Sequence, residues 1–379
     1  MRILLVRLRL IGDVVFTTPV IRALRRQYAD AHLAYLVEPS AAPVIRGNPH
    51  LNDVIVAQRR RGAGRLVDDL ALARRLRHER FDVAIDLHGG PRAAWLTRAS
   101  GAPMRIGYDL PWRSWIYTHR VRRSPDLFPR HSVLNQWDLL APLGIRDCTP
   151  AHNPVEMTED AVAARRVRER LDAAGINDAH RIVVVHVSAG NEFRRWPEEA
   201  FCSTIVGLAE RDPRCRIIVA SGPSDAAAAA RVTEAARSRL SRPESLPPLL
   251  DWDLNELHAL VARAAVYIGG DSGPLHVAGT TTTPIVALFG PTLRERSMPW
   301  RDPQWFAEAV DAGPLECRPC RQRECAPGDF RCLTRITAEQ VAGAAERAIV
   351  SIGNNRGAAR ALWAREASLE GSPRTREGA

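Results

Sequence analysis

The sequence predicts an α/β protein of two doubly wound, Rossmann-like domains facing an interdomain cleft, and three observations predict it. Short apolar runs alternate with glycine-containing turns and with stretches of helical periodicity, the pattern of βαβ units. The pattern is interrupted by a polar, proline-bearing stretch at 150–154 and then starts again. The chain's 379 residues, 45% hydrophobic and 25% charged, suffice for two cores of ordinary size.

In the first domain, placed at 1–155, residues 2–8 read as a buried strand, Ile11-Gly12-Asp13 as a turn and Val14–Tyr28 as a helix. Leu33–Val37, Val54–Ala57, Val83–Leu87 and Met104–Gly107 read as strands, with a helix over Leu66–Arg77. A helix at Glu159–Ala174, closed by Gly175, leads into a second domain at 176–335. Its strands are expected at Arg181–Val187, Arg216–Ala220, Val266–Ile268 and Ile285–Phe289, and its helices at Pro197–Arg211, Asp225–Leu240 and Leu254–Ala264. A last helix within 336–352 is expected to pack back on the first domain, and 353–379 to form a disordered polar tail.

All 53 basic residues counted as Lys+Arg are arginine, which excludes a Schiff-base lysine and the lysine of a G-x-x-x-x-G-K phosphate loop. A formal charge of +10 favours polyanions or an anionic membrane surface as partners. No apolar run reaches the roughly 18 residues of a membrane span, and the N-terminal segment, interrupted by Arg7, Arg9 and Asp13, is a poor secretory signal. A cytoplasmic protein is expected. Cys317, Cys320, Cys325 and Cys332 form a cluster whose spacing could hold a zinc or iron ion but whose last two gaps match no common zinc module, so free or redox-active thiols are the expected state.

The segment Gly269 to Gly279 follows a short apolar strand and opens a helix. Its glycines let the backbone approach a ligand, Ser272 can cap the helix, and Pro274 suits a first helical turn, so its free N–H groups suit phosphate. Asp251-Trp252-Asp253 has the look of a metal-binding D-x-D. Asp253 with Glu256 ahead of an apolar-periodic helix predicts a capping box instead.

Four separated motifs carry more information than any one of them. Arg7-x4-Ile11-Gly12-Asp13 with Thr17-Thr18-Pro19, then Arg194-Arg195-Trp196-Pro197, then Asp271 to Ala278, then Phe289-Gly290-Pro291-Thr292, resembles glycosyltransferase family 9, the heptosyltransferases, in order and spacing. The resemblance implies a GT-B fold and an inverting transfer of heptose, without catalytic metal or cofactor, from ADP-heptose to the lipopolysaccharide inner core, a lipid A-Kdo or heptosyl acceptor. It further implies an anionic glycolipid partner, peripheral contact with the inner membrane surface, and no nucleic acid. The alternatives are a relative using another sugar nucleotide or a protein acceptor, and a non-catalytic protein of polyanions or membrane surfaces.

The family pattern places the general base at Asp13 and the phosphate-facing cation at Arg194, where the family commonly has lysine. Ser188 and Gly190, in the loop after a strand, and Asp271, Ser272, Gly273 and His276 are expected to bind the donor. Asp225 is a candidate for the ribose hydroxyls and Trp252 for stacking on the base. Arg59, Arg60, Arg61 and Arg120 are the candidate acceptor contacts in the first domain.

Overall fold

The computed structural model describes residues 1–58, 63–125, 128–187 and 191–351. The first unit contains β1 (Arg2–Val6), α1 (Ile11–Val15), α2 (Thr18–Gln27), β2 (His32–Val37), β3 (Asp53–Val56), α3 (Ala63–His78), β4 (Val83–Asp86), α4 (Pro91–Ala99), β5 (Met104–Tyr108), β6 (His119–Val121) and α5 (Ser132–Asp138). The second contains α6 (Ala161–Ala173), β7 (Arg181–His186), α7 (Glu198–Arg211), β8 (Cys215–Ala220), α8 (Ala226–Arg237), α9 (Leu254–Arg263), β9 (Val266–Gly270), α10 (Gly273–Ala278), β10 (Ile285–Phe289), α11 (Arg294–Ser297), β11 (Ala307–Asp311), α12 (Arg331–Thr334) and a final helix, α13, over 338–351.

Each unit is one parallel sheet with helices on both faces, the doubly wound form. The first sheet has the order β3-β2-β1-β4-β5-β6, and the second β11-β10-β9-β7-β8. Central strands β1, β9 and β10 are buried almost throughout because both sheet faces are covered, which is why they read as continuous apolar runs. Strands β6 and β11 escape a reading by apolar runs. They are edge strands, partly exposed, in which charged or polar residues interrupt any apolar run.

The helix expected over Val14–Tyr28 is two helices. Pro19 stands in the first turn of α2, where its missing N–H costs nothing, and the hydroxyls of Thr17 and Thr18 donate back to the carbonyls of Val14 and Val15 at 2.7 and 2.8 Å, closing α1. The helix α6 is capped by Asp160, whose side chain accepts from Ala163 N–H at 2.9 Å, and Gly175 leaves it with φ +72°. Val167 and Leu171 seat it on the second sheet's core, so it belongs to that unit.

The last helix does not pack on the first unit. Its small apolar stripe, Val341, Ala344, Ala345 and Ala348, joins Val183, Val185 and Val286 in the second core, while Trp196 Nε1 donates to the carbonyl of Ile336 at 3.0 Å just ahead of it. The return to the first unit is made earlier, at Met298–Trp300. Trp300 enters the first core and donates to the Asn153 carbonyl at 2.8 Å, and the Val155 amide donates to the Trp300 carbonyl at 2.9 Å.

The two units touch where α1 meets α10. A Cβ on Gly12 would collide with the ring of His276, and one on Gly273 would come to 3.0 Å of Ile11 Cβ. Glycine at both positions is therefore what allows this approach. Gly12→Ala is expected to cost about 1–3 kcal/mol of stability through overpacking, read as a lowered melting temperature.

Candidate active site

Doubly wound sheets place ligands beyond the carboxyl ends of their strands, at the point where the strand order reverses. In the first sheet that point lies between β1 and β4, and the segments leaving them carry Asp13 and His88. In the second it lies between β7 and β9, whose following segments carry Arg194 and Asp271. A cleft of about 790 Å³ lies between the two reversal points, lined among others by Asp13, Arg194, Ser272, Gly273, His276 and Arg321.

Asp13 sits in the first turn of α1 but does not cap it; the N-cap is Leu10, with no side-chain bond. Its carboxylate forms an ion pair with Arg7, a buried side chain at the end of β1 whose other nitrogen donates to the Leu87 carbonyl at 2.6 Å. Arg7 therefore fixes the Asp13 side chain, which stays 34% exposed toward the cleft. Burial and then the charge of Arg7 pull the pKa of His88 down to about 4, against an opposing pull from Asp13. The imidazole is neutral at ordinary pH.

The other wall is organised by Asp271, only 3% exposed. One of its carboxylate oxygens accepts from Arg194 at 3.1 Å and the other lies 3.5 Å from His276 Nε2. Arg194 also donates to the Asp271 carbonyl at 3.2 Å and, through Nε, to Gln322 at 2.7 Å. Asp271, which also lines the cleft, thus holds protein groups and aims Arg194. Burial alone would raise its pKa, but the hydrogen bond with His276 and the charge of Arg194 outweigh burial and hold the carboxyl below its usual range.

That depressed pKa adds stability that is present above the unfolded value of ~3.9 and lost as pH falls through the lower folded value. The stability gap between the wild type and Asp271→Asn should narrow in melts taken below about pH 4.

Ser272 occupies the N-cap position of α10 with extended backbone, yet its hydroxyl makes no capping bond. Its Oγ and the Nδ1 of His276 are buried without a hydrogen-bond partner among the described residues, and both residues line the cleft. Polar atoms in that position suit a polar ligand. Across the units, the rings of Phe16 and His276 pack at a centroid distance of 4.3 Å.

The profile of glycosyltransferase family 9 (heptosyltransferase) matches residues 70–330. This chain belongs to that family. Lipopolysaccharide heptosyltransferase 3 of Escherichia coli K12 is 30% identical over 296 residues, which cover 77% of this chain and 83% of that protein. The family 9 glycosyltransferase of Veillonella parvula superposes with a TM-score of 0.76 at 22% identity, covering 92% of this chain and 97% of its own. E. coli heptosyltransferase WaaC, solved with ADP-2-deoxy-2-fluoro heptose, superposes with a TM-score of 0.65 at 21% identity, covering 92% and 99%. The chain is accordingly a glycosyltransferase with the GT-B fold.

In this family 9 transferase the remaining sequence-chosen residues divide. Arg59, Arg60, Arg61, Ser188 and Gly190 lie outside the described residues, as does the tail from 352 on. Asp225 is buried, with one oxygen paired to Arg195 at 3.1 Å and the other accepting from Ser224 at 2.7 Å, so its carboxylate is engaged by the protein. The guanidinium of Arg170 lies over the Trp252 ring at 3.9 Å, which makes that indole a shelf against α6; it is not among the cleft-lining residues. Asp253 and Glu256 form the expected capping box. Arg120 is exposed on the edge strand β6.

The four clustered cysteines line one small cavity of about 60 Å³ as free thiols, and among the described residues no His, Cys, Asp and Glu group is placed to hold a metal ion. Burial foremost, then the neighbouring sulfurs, push the Cys332 thiol up to about 11. Arg7, Gln322, Arg321 and Arg323 were not chosen from sequence. Arg7 carried a signal, being part of the first motif, but nothing local marks Gln322, which reaches Arg194 from 128 residues away.

Proposed function

We propose that this chain is an inverting, metal-independent heptosyltransferase that moves heptose from ADP-heptose to the lipopolysaccharide inner core. The observation that carries the reading is the meeting of Asp13, from one unit, with Arg194 and the Ser272–His276 turn, from the other, across one cleft. The names of the relatives, lipopolysaccharide heptosyltransferase 3 and a heptosyltransferase solved with an ADP-heptose analogue, support the donor and acceptor.

In the reaction, Asp13 takes the proton of an acceptor hydroxyl as its oxygen attacks the anomeric carbon, and the bond from that carbon to the diphosphate breaks with inversion. Arg194, held at Nε and Nη1 by Gln322 and Asp271, turns the rest of its fork to the departing diphosphate, which the Ser272 hydroxyl and the turn amides also meet. Arginine side chains take the part that a divalent cation plays in other transferases. On the acceptor side, a recess of about 260 Å³ lined by Arg9, Glu38, His88 and Arg92 opens on the rim that bears Asp13; Arg92 is held there by Glu38 and Asp69, and Arg9 is the cation offered to an anionic group of the inner core. No helix among the described residues is long and apolar enough to cross a membrane.

A screen of nucleotide sugars with a lipid A-Kdo acceptor tests the reading, with mass detection of the released nucleotide. Release of ADP from ADP-heptose, undiminished by EDTA, is the expected result. Turnover only with a uridine-linked sugar overturns the donor, and a retained anomeric configuration in the product overturns the inversion.

A further inference from the structure

We infer that the outer end of the first unit's rim, built around Trp112 and Trp115, docks on an anionic lipid layer; this rests on the lipid-linked acceptor proposed above. Trp112 is 92% exposed and Trp115 69% exposed, large apolar surfaces to leave in water. Trp112 also holds φ +67°, a left-handed backbone that a bulky residue adopts only at a cost. The Trp115 indole donates to the Trp112 carbonyl at 3.1 Å, so the pair is a built unit.

The single helical turn Ser114–Ile116 packs on α4, which exposes Trp95, and α4 packs on α3, which exposes Leu66, Val67 and Leu70. Over 109–125 the chain carries Arg113, Arg120, Arg122 and Arg123 against one acid, Asp109. Tryptophan prefers the interface of a bilayer, and arginine is drawn to anionic headgroups, so apolar patch and charge select the same partner.

The topology ties this surface to the reaction. All strands of the first sheet are parallel, so the segments leaving β1, β4, β5 and β6 emerge on one rim. Asp13 follows β1, Trp112 and Arg113 follow β5, Arg120 lies in β6, and Arg122 and Arg123 follow β6 on a segment that reaches the cleft at Pro125. A lipid anchored at the tryptophans would pass its headgroup over these arginines toward Asp13.

Cosedimentation of the full chain with vesicles reads the docking without donor or acceptor. The wild type should partition onto phosphatidylglycerol/phosphatidylethanolamine vesicles about tenfold more strongly than onto phosphatidylcholine. Trp112→Ser with Trp115→Ser should lower that partition about tenfold while melting temperature and ADP affinity stay put. Equal partition by the double variant, or onto both vesicle types, overturns the inference. A dimer of the wild type that the double variant breaks also overturns it, since the patch would then face a second copy. A failed donor screen leaves vesicle binding readable, so the two readings fail separately.

Discussion

Asp13→Asn is expected to lower kcat about 10³-fold, the range that a positioned general base supplies, with ADP affinity within about twofold of the wild type. Asparagine keeps an oxygen for Arg7, so the buried guanidinium retains a partner and the fold is kept. ADP affinity is spared because Asp13 stands on the first unit while Arg194 and the Ser272 turn stand on the second. Initial rates and calorimetry with ADP check both halves of the expectation. A variant turning over within about tenfold of the wild type would place the base elsewhere. His88 is then the next group to replace, being on the same rim and kept neutral by burial and the charge of Arg7.

Arg194→Ala is expected to lower kcat by about 10²–10³-fold, the usual effect of removing a preorganised charge from a leaving group. ADP affinity should weaken in the same variant. Gln322→Ala should do the same more weakly, by about tenfold, because Asp271 still grips the guanidinium from the other side. Arg194→Lys should recover only part of the rate. It restores the charge but lacks the planar fork that serves Gln322, Asp271 and a phosphate together. Steady-state kinetics across the three variants distinguishes positioning from simple charge. If lysine restores the full rate, Gln322 and Asp271 have no aiming role.

Most of the fold was legible because buried parallel strands are apolar along nearly their whole length, as β1, β7 and β10 are. Two edge strands were not, because His119–Val121 and Ala307–Asp311 lack that run. The last helix was placed on the wrong unit, since an alanine-rich stripe carries no address; only the packing of Val341 and Ala345 against Val183 and Val185 supplies one. Asp225 and Trp252 were read as donor contacts from residue type alone. The tertiary structure adds what no local window shows, that Arg195 pairs with the carboxylate and Arg170 covers one face of the ring.

What the sequence determined by itself is the alternation of strand, glycine turn and helix, and with it the two turns that bear Asp13 and Asp271. These are local properties, set by apolar period and by backbone freedom at a few glycines. The tertiary structure alone decided what each of those carboxylates touches. Arg7 takes hold of Asp13 on one wall, while Arg194 and His276 engage Asp271 on the other, so the first stays open to the cleft and the second is buried as an anchor. Such pairings depend on sheet order and on the close approach of Gly12 to His276, which join residues far apart in the chain and leave no trace in any local window.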